Sequence, residues 1–150
     1  MSFDLYSQEI IVRSLKAFTG NETDLPVVTP ESFLNIHFDV QSNYMPVINI
    51  LFRFCDENWK PTGNLFLQNY GKNTAYNLEF GTLPLTVEKA RYRFEGVFPD
   101  RRDMVSFPFS GKWRFYLVAP NDTSIVYGQG KFYVINPEAA GNTTIIKGLL

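Results

Sequence analysis

From Leu34 to Asp39 the chain alternates strictly: Leu34, Ile36 and Phe38 are apolar, and Asn35, His37 and Asp39 between them are polar. A repeat of two is the signature of a pleated strand with one face buried and the other in water, and it cannot be satisfied by a helix. The pattern recurs where Tyr92 and Phe94 alternate with Arg91, Arg93 and Glu95. It returns in Lys112–Val118, which puts Trp113, Phe115 and Leu117 on one face. Ile10–Phe18 reads as a first strand, and Val27 and Val28 form a short apolar pair between Pro26 and Pro30. Val47–Phe54, apolar except for Asn49 and Arg53, reads as a central strand covered on both sides. Gly130–Ile135 pairs with Lys112–Val118 as a hairpin across the Asn121-Asp122-Thr123 turn, and Leu65–Leu67 and Asn77–Phe80 are shorter strand candidates.

Turn chemistry separates these runs: Thr19-Gly20-Asn21, Asp56-Glu57-Asn58, Lys60-Pro61-Thr62-Gly63-Asn64 and Pro99-Asp100. Proline presets φ and glycine accepts positive φ, so each cluster reverses the chain. No helical periodicity is sustained over ten residues, and no crossover helix is visible for a parallel sheet. The 14 Phe, 8 Tyr and 2 Trp suit a pleated, half-buried surface. The expected fold is therefore all-β, an immunoglobulin-like antiparallel β-sandwich of seven or eight strands. The sandwich occupies residues 1–136, and 137–150 are a linker or the start of a further segment.

Composition narrows the function classes. With 14 basic against 15 acidic residues there is no overall field for a phosphate backbone, so nucleic acid is not an expected partner. Arg91, Arg93, Arg101 and Arg102 make a local basic stripe, but Glu95, Asp100 and Asp103 are interspersed. No run of 18 apolar residues is present, so no membrane-spanning helix is expected, and the first residues lack a signal-type leader. Cys55 is the one cysteine and His37 the one histidine. A two-histidine zinc site is excluded, no cofactor or metal is expected, and Cys55 with His37 is the one possible dyad. His37 shares its face with Asn35 and Asp39 and reads as a hydrated surface residue. Cys55, at a strand end, reads as a structural thiol. Gly128-Gln129-Gly130-Lys131 lacks the strand-to-helix context of a phosphate loop, and its glycines read as a turn or bulge before a strand. The carboxylates of Asp56-Glu57 and Asp100/Asp103 lie in turns, where capping is their usual work. No catalytic residue is assigned.

Several stretches, in order, resemble the N-terminal domain family of the type IX secretion system plug protein. They are Leu25–Val28 leading to Leu34–Asp39, Arg53-Phe54-Cys55-Asp56-Glu57-Asn58-Trp59, Asn73-Thr74-Ala75-Tyr76, Phe109-Ser110-Gly111-Lys112-Trp113 and Lys131-Phe132-Tyr133-Val134. The resemblance covers residues 10–136. It departs from the family pattern where Trp113 replaces a tyrosine and Gly130 precedes Lys131 in place of a second basic residue. It implies a periplasmic, non-enzymatic protein-interaction domain whose larger parent closes the mouth of an outer-membrane translocon β-barrel. The chain would then be one part of a longer exported product. On this reading the motif residues are architectural: Cys55, Asp56, Trp59, Asn73, Thr74, Tyr76, Ser110, Gly111, Trp113, Phe132, Tyr133 and Val134. Trp59 and Trp113 pack between the sheets, and Ser110-Gly111 turns the corner into a core strand. The alternative is a carbohydrate-binding module, with an exposed Trp59 beside Tyr70 or Tyr76 as its platform.

Overall fold

The computed structural model describes residues 9–20, 25–102 and 104–137. The expected linker from 138 onward, the first residues and Asp103 lie outside them. Among the described residues nine strands form two sheets: β1 (Ile11–Phe18), β2 (Val27–Val28), β3 (Leu34–Gln41), β4 (Asn49–Cys55), β5 (Thr74–Ala75), β6 (Gly81–Thr82), β7 (Tyr92–Phe98), β8 (Gly111–Val118) and β9 (Val126–Val134). One sheet has the order β1-β3-β7-β6 and the other β2-β9-β8-β4-β5. The protein is an all-β, two-sheet sandwich.

Alternation decides which side chains meet between the sheets. In β3 buried residues alternate without a break, so Leu34, Ile36, Phe38 and Val40 all face inward. From the other sheet Ile50, Phe52, Trp113, Phe115, Leu117, Phe132 and Val134 come to meet them. The aromatic residues interlock edge to face: Phe52 lies 5.1 Å from both Phe98 and Phe107, and Phe107 lies 5.3 Å from Trp113. Trp113 is fully buried, and its indole N–H donates to the Phe109 carbonyl at 2.8 Å, so burying the polar end of the ring costs nothing in unmet hydrogen bonding.

Four sequence expectations need correction. Leu65–Leu67 forms a single 3-10 turn capped by Asn64, whose side chain accepts from Phe66 N at 2.9 Å, because an asparagine followed by a short apolar run favours a capped turn over an unpaired strand. Asn77–Phe80 is not a strand. It carries the chain from β5 in one sheet to β6 in the other, with Asn77 N held by Asn49 Oδ1 and Phe80 packed on Phe38 and Phe94. The sandwich is not wholly antiparallel: β2 runs parallel to β9, pairing Val27 with Tyr133 and Val28 with Val134. No crossover helix is needed, because the intervening strands themselves carry the chain back. Finally, Gly128 and Gly130 lie inside β9, with a bulge at the neighbouring Leu117/Val118 step.

Gly130 faces Phe115 across the β8–β9 ladder, and a Cβ there would stand 2.4 Å from the Phe115 ring. The glycine gives the ring room to lie flat on the sheet. Gly111 opens β8 at φ +145°, beneath the Phe54 ring.

Two substitutions test this packing. Trp113→Ala removes the central ring and should cost about 3–5 kcal/mol, a large part of a small domain's stability. Gly130→Ala should cost about 1–3 kcal/mol by displacing Phe115. Urea unfolding followed by circular dichroism measures both, and a Trp113→Ala variant that unfolds at the parent's midpoint contradicts the core described here.

Candidate functional site

The outward face of the five-stranded sheet gathers four of the motif residues, Cys55, Asp56, Trp59 and Tyr133. β4 ends at Cys55, and Asp56 folds the next residues into a tight turn: its Oδ1 accepts from Asn58 N at 2.8 Å and Lys60 N at 3.0 Å. The backbone closes the same turn, with Asp56 N donating to Lys60 O, Trp59 N to Asp56 O and Thr62 N to Phe54 O. These amides, Lys60 first, hold the Asp56 carboxyl below the usual carboxylate range. Trp59 sits in the turn at φ +65°, a left-handed conformation that costs a non-glycine residue roughly 1–2 kcal/mol.

The turn folds Trp59 back over the sheet's outer face, half-buried, and not between the sheets as the resemblance implied. Its ring meets Tyr133 at 5.2 Å, edge on, and the Nζ atoms of Lys112 and Lys131 lie over it at 5.4 and 5.2 Å. Two ammonium groups on one indole make a cation–π arrangement. Lys112 is further fixed by donating to the Glu57 carbonyl. The physical reason for the correction is phase: Trp113 and Phe132 already fill the inward positions here, while Lys112 and Tyr133, one residue away, point outward.

Next to this cluster lies a row of three cations. Cross-strand pairing sets Arg53 of β4 opposite Arg114 of β8, and Arg114 opposite Lys131 of β9. Strands are roughly 4.8 Å apart, and like charges placed directly opposite destabilise a sheet by on the order of 0.2–1 kcal/mol each. Among the described residues, none of Arg53, Lys112, Arg114 and Lys131 has a carboxylate within ion-pair distance. Arg53 donates to its neighbouring Phe52 carbonyl, and the Nε of Arg114 is buried without a hydrogen-bond partner among the described residues. Leu51 and Tyr116, half-buried, flank the row on the same face.

Of the other basic stripe, Arg101 and Arg102 are exposed, and Arg91 and Arg93 are engaged within the fold. Arg93 makes a two-pronged pair with Asp39 across β7 and β3, Nε to Oδ1 at 2.7 Å and Nη2 to Oδ2 at 3.2 Å. Arg91 donates to the Val87 and Ala90 carbonyls. Sequence reading singled out this stripe and missed the row on the opposite sheet. The signal for the row was present in the outward phase of Arg53, Lys112, Arg114 and Lys131, but only the register of three strands puts the charges side by side.

The remaining motif residues are dispersed. Trp113, Phe132 and Val134 are core. Ser110 accepts from Asn136 N at 2.8 Å and donates to Asn136 O, tying the start of β8 to the end of β9. Asn73 and Thr74 are buried: Asn73 O accepts from Phe52 N, its side chain donates to Gln68 O, and Thr74 donates to Asn73 Oδ1. Tyr76 and Tyr70 are exposed. Tyr76 follows β5, whose Ala75 pairs with Ile50, whereas Trp59 follows Cys55 at the other end of β4. Five residues of strand separate Ile50 from Cys55, roughly 16 Å. Tyr70 makes no ring contact with Trp59 either, so neither of the two expected ring pairs assembles.

Cys55 and His37 lie on the outward faces of opposite sheets and form no dyad. His37 packs edge on against Phe18 and stands 3.6 Å from Glu95. Cys55 is buried under the Asp56–Pro61 turn, and desolvation pushes its thiol up to about 11, opposed by the nearby Arg114 charge. Asp100, like Asp56, caps backbone, accepting from Met104 N and Val105 N. Among the described residues no cluster of His, Cys, Asp and Glu is disposed to hold a metal, and no helix is long and apolar enough to cross a membrane.

No family model and no curated protein matches the chain. Among solved structures, it is similar to a crystal structure of a hypothetical protein from Parabacteroides merdae, with a TM-score of 0.68 at 14% identity over 85% of this chain. The chain spans 33% of that protein's length. At such identity the likeness is one of fold.

The Cys55 environment makes a measurable prediction. At pH 8 the native thiol should react with a disulfide reagent roughly 100-fold more slowly than the unfolded chain, because burial lowers its thiolate fraction by about that factor. Because the folded protein holds the proton more tightly, this contribution to stability is complete below about pH 9 and is lost as pH rises towards about 11. A native thiol that reacts at the unfolded rate contradicts its burial.

Proposed function

We propose that the chain is a non-enzymatic protein-interaction domain of immunoglobulin-like topology, belonging to a periplasmic plug protein that closes the type IX secretion translocon. Two features support the topology. The order β1-β3-β7-β6 corresponds to the A-B-E-D sheet of an immunoglobulin domain, and β9-β8-β4 to its G-F-C sheet, with β5 added beside C. The short parallel pairing of β2 with β9 serves as a second segment of the first strand.

The observation that carries the interaction reading is the cationic row beside Trp59. It is built on three central strands and tolerates like-charge repulsion. That repulsion weakens the fold, whereas a partner surface of opposite charge would offset it. Rigid strands position the row, as a docking face requires. The ordered stretches from Arg53 to Trp59, Phe109 to Trp113 and Lys131 to Val134, on which the family resemblance rests, supply this face. The outer-membrane β-barrel is accordingly the proposed partner. The sugar-binding alternative has no such support, because its ring platform is dispersed and the Trp59 ring is engaged by two lysines.

The test is capture of the translocon barrel from detergent-solubilised outer membranes of the source bacterium by the tagged chain, with the barrel identified by mass spectrometry. Recovery of a large β-barrel component that is lost on Arg53→Glu/Lys131→Glu supports the reading. Retention of the chain on neutral polysaccharide with no barrel recovered replaces it with the sugar-binding module.

A further inference from the structure

The chemistry of the outer face specifies its ligand more closely than "a partner". Arg53, Arg114 and Lys131 lie in one line across three strands, and Lys112 and Lys131 bring their ammonium groups together over Trp59. We infer that this face binds an acidic polypeptide segment, its Asp and Glu carboxylates seated along the Arg53–Arg114–Lys131 row and its apolar residues against Leu51, Tyr116 and Tyr133. This inference rests on the reading of the face as a docking surface.

Three observations converge on a carboxylate-bearing peptide. Two of the three cations are guanidinium groups, whose planar fork matches a carboxylate with two parallel hydrogen bonds. Among the described residues neither guanidinium is paired with a carboxylate. The three cations stand on neighbouring strands whose backbones are roughly 4.8 Å apart, within the screening length of about 8 Å at physiological salt, so a bound anion is a direct means of offsetting their repulsion.

The surroundings separate a peptide from an acidic polysaccharide. A sugar chain is recognised by many uncharged donors and acceptors and by an open aromatic face. Along this part of the sheet Gln129 is the one amide side chain at the outward positions of β8 and β9, and the indole is engaged by Lys112, Lys131 and Tyr133. Leu51 and Tyr116 instead offer apolar contact beside the charges, which suits a chain whose acidic residues alternate with apolar ones.

The experiment titrates the 150-residue chain with poly-L-glutamate, polygalacturonate and a sulfated polysaccharide, at low and physiological salt. Fluorescence reads binding, because Trp113 is fully buried and Trp59 is half-exposed at the site. Thermal unfolding is measured in parallel. Arg53→Gln/Lys131→Gln removes two cations from the row, and Arg101→Gln/Arg102→Gln removes the same charge from elsewhere. Polyglutamate binding should fall at least about tenfold in the row variant and change less than about threefold in the control. The row variant should stay folded and melt within about 4 °C of the parent, since the lost like-charge repulsion and the lost Lys131–Trp59 contact oppose each other; a variant that simply unfolds would melt far lower.

Equal loss in both variants means general charge attraction and overturns the inference. So does row-dependent binding of polygalacturonate or the sulfated polymer in preference to polyglutamate, and so does an absence of polyglutamate binding. These outcomes are read without any barrel. Failure to capture the translocon with the unsubstituted chain therefore refutes the plug reading and leaves the polyglutamate result to be judged by itself.

Discussion

The stacking of Trp113 against Phe132, with Phe54 and Phe107 edge on to the indole, locks β8 to its neighbours β4 and β9, and Phe107 joins this cluster through Phe52 to Phe98 of the facing sheet. In a pleated strand the two faces are not independent: a slip of one residue exchanges them. With Trp113, Phe115 and Leu117 committed to the core, Lys112, Arg114 and Tyr116 have no other place than the outward face. The same holds for Phe132 and the two residues beside it, Lys131 and Tyr133. A dry aromatic core thus fixes the position of the charged row on the opposite side of the sheet, with no loop able to let the charges drift apart.

That coupling explains how a strained arrangement persists. The left-handed Trp59 and the cross-strand cations each cost a little, and the core and the Asp56 turn offset both. The arrangement is preset on rigid strands, without a carboxylate partner among the described residues, and flanked by apolar contact. Cys55 takes part only as packing beneath the turn. Its raised pKa follows from the same desolvation that the turn imposes.

The six long strands were legible in the sequence because each carries its own patterned apolar run, and Leu34–Asp39 is the clearest instance. The short strands were not: β2, β5 and β6 contain two residues each, too few for any periodicity to register. Leu65–Leu67 and Asn77–Phe80 misled because apolar content alone does not distinguish a strand from a capped turn or a crossing loop. The binding face was legible only in part. The outward phase of each basic residue could be read, but the line from Arg53 to Lys131 exists only through pairing between residues as far apart as Phe54 and Trp113. The outward place of Trp59 is not legible because a tryptophan near a turn carries no mark of which face it covers; it follows from the inward positions being filled by Trp113 and Phe132.

The parallel pairing of β2 with β9 also bears on how the domain carries load. Tyr133 N donates to Pro26 O and Ile135 N to Val28 O, joining the entry and exit of the fold side by side and pointing the same way. Tension drawn between Pro26 and Asn136 therefore runs along these bonds in shear, straining them together, where an antiparallel pair held at its open end would unzip one bond at a time. This small patch gives the domain mechanical resistance out of proportion to the four residues that form it.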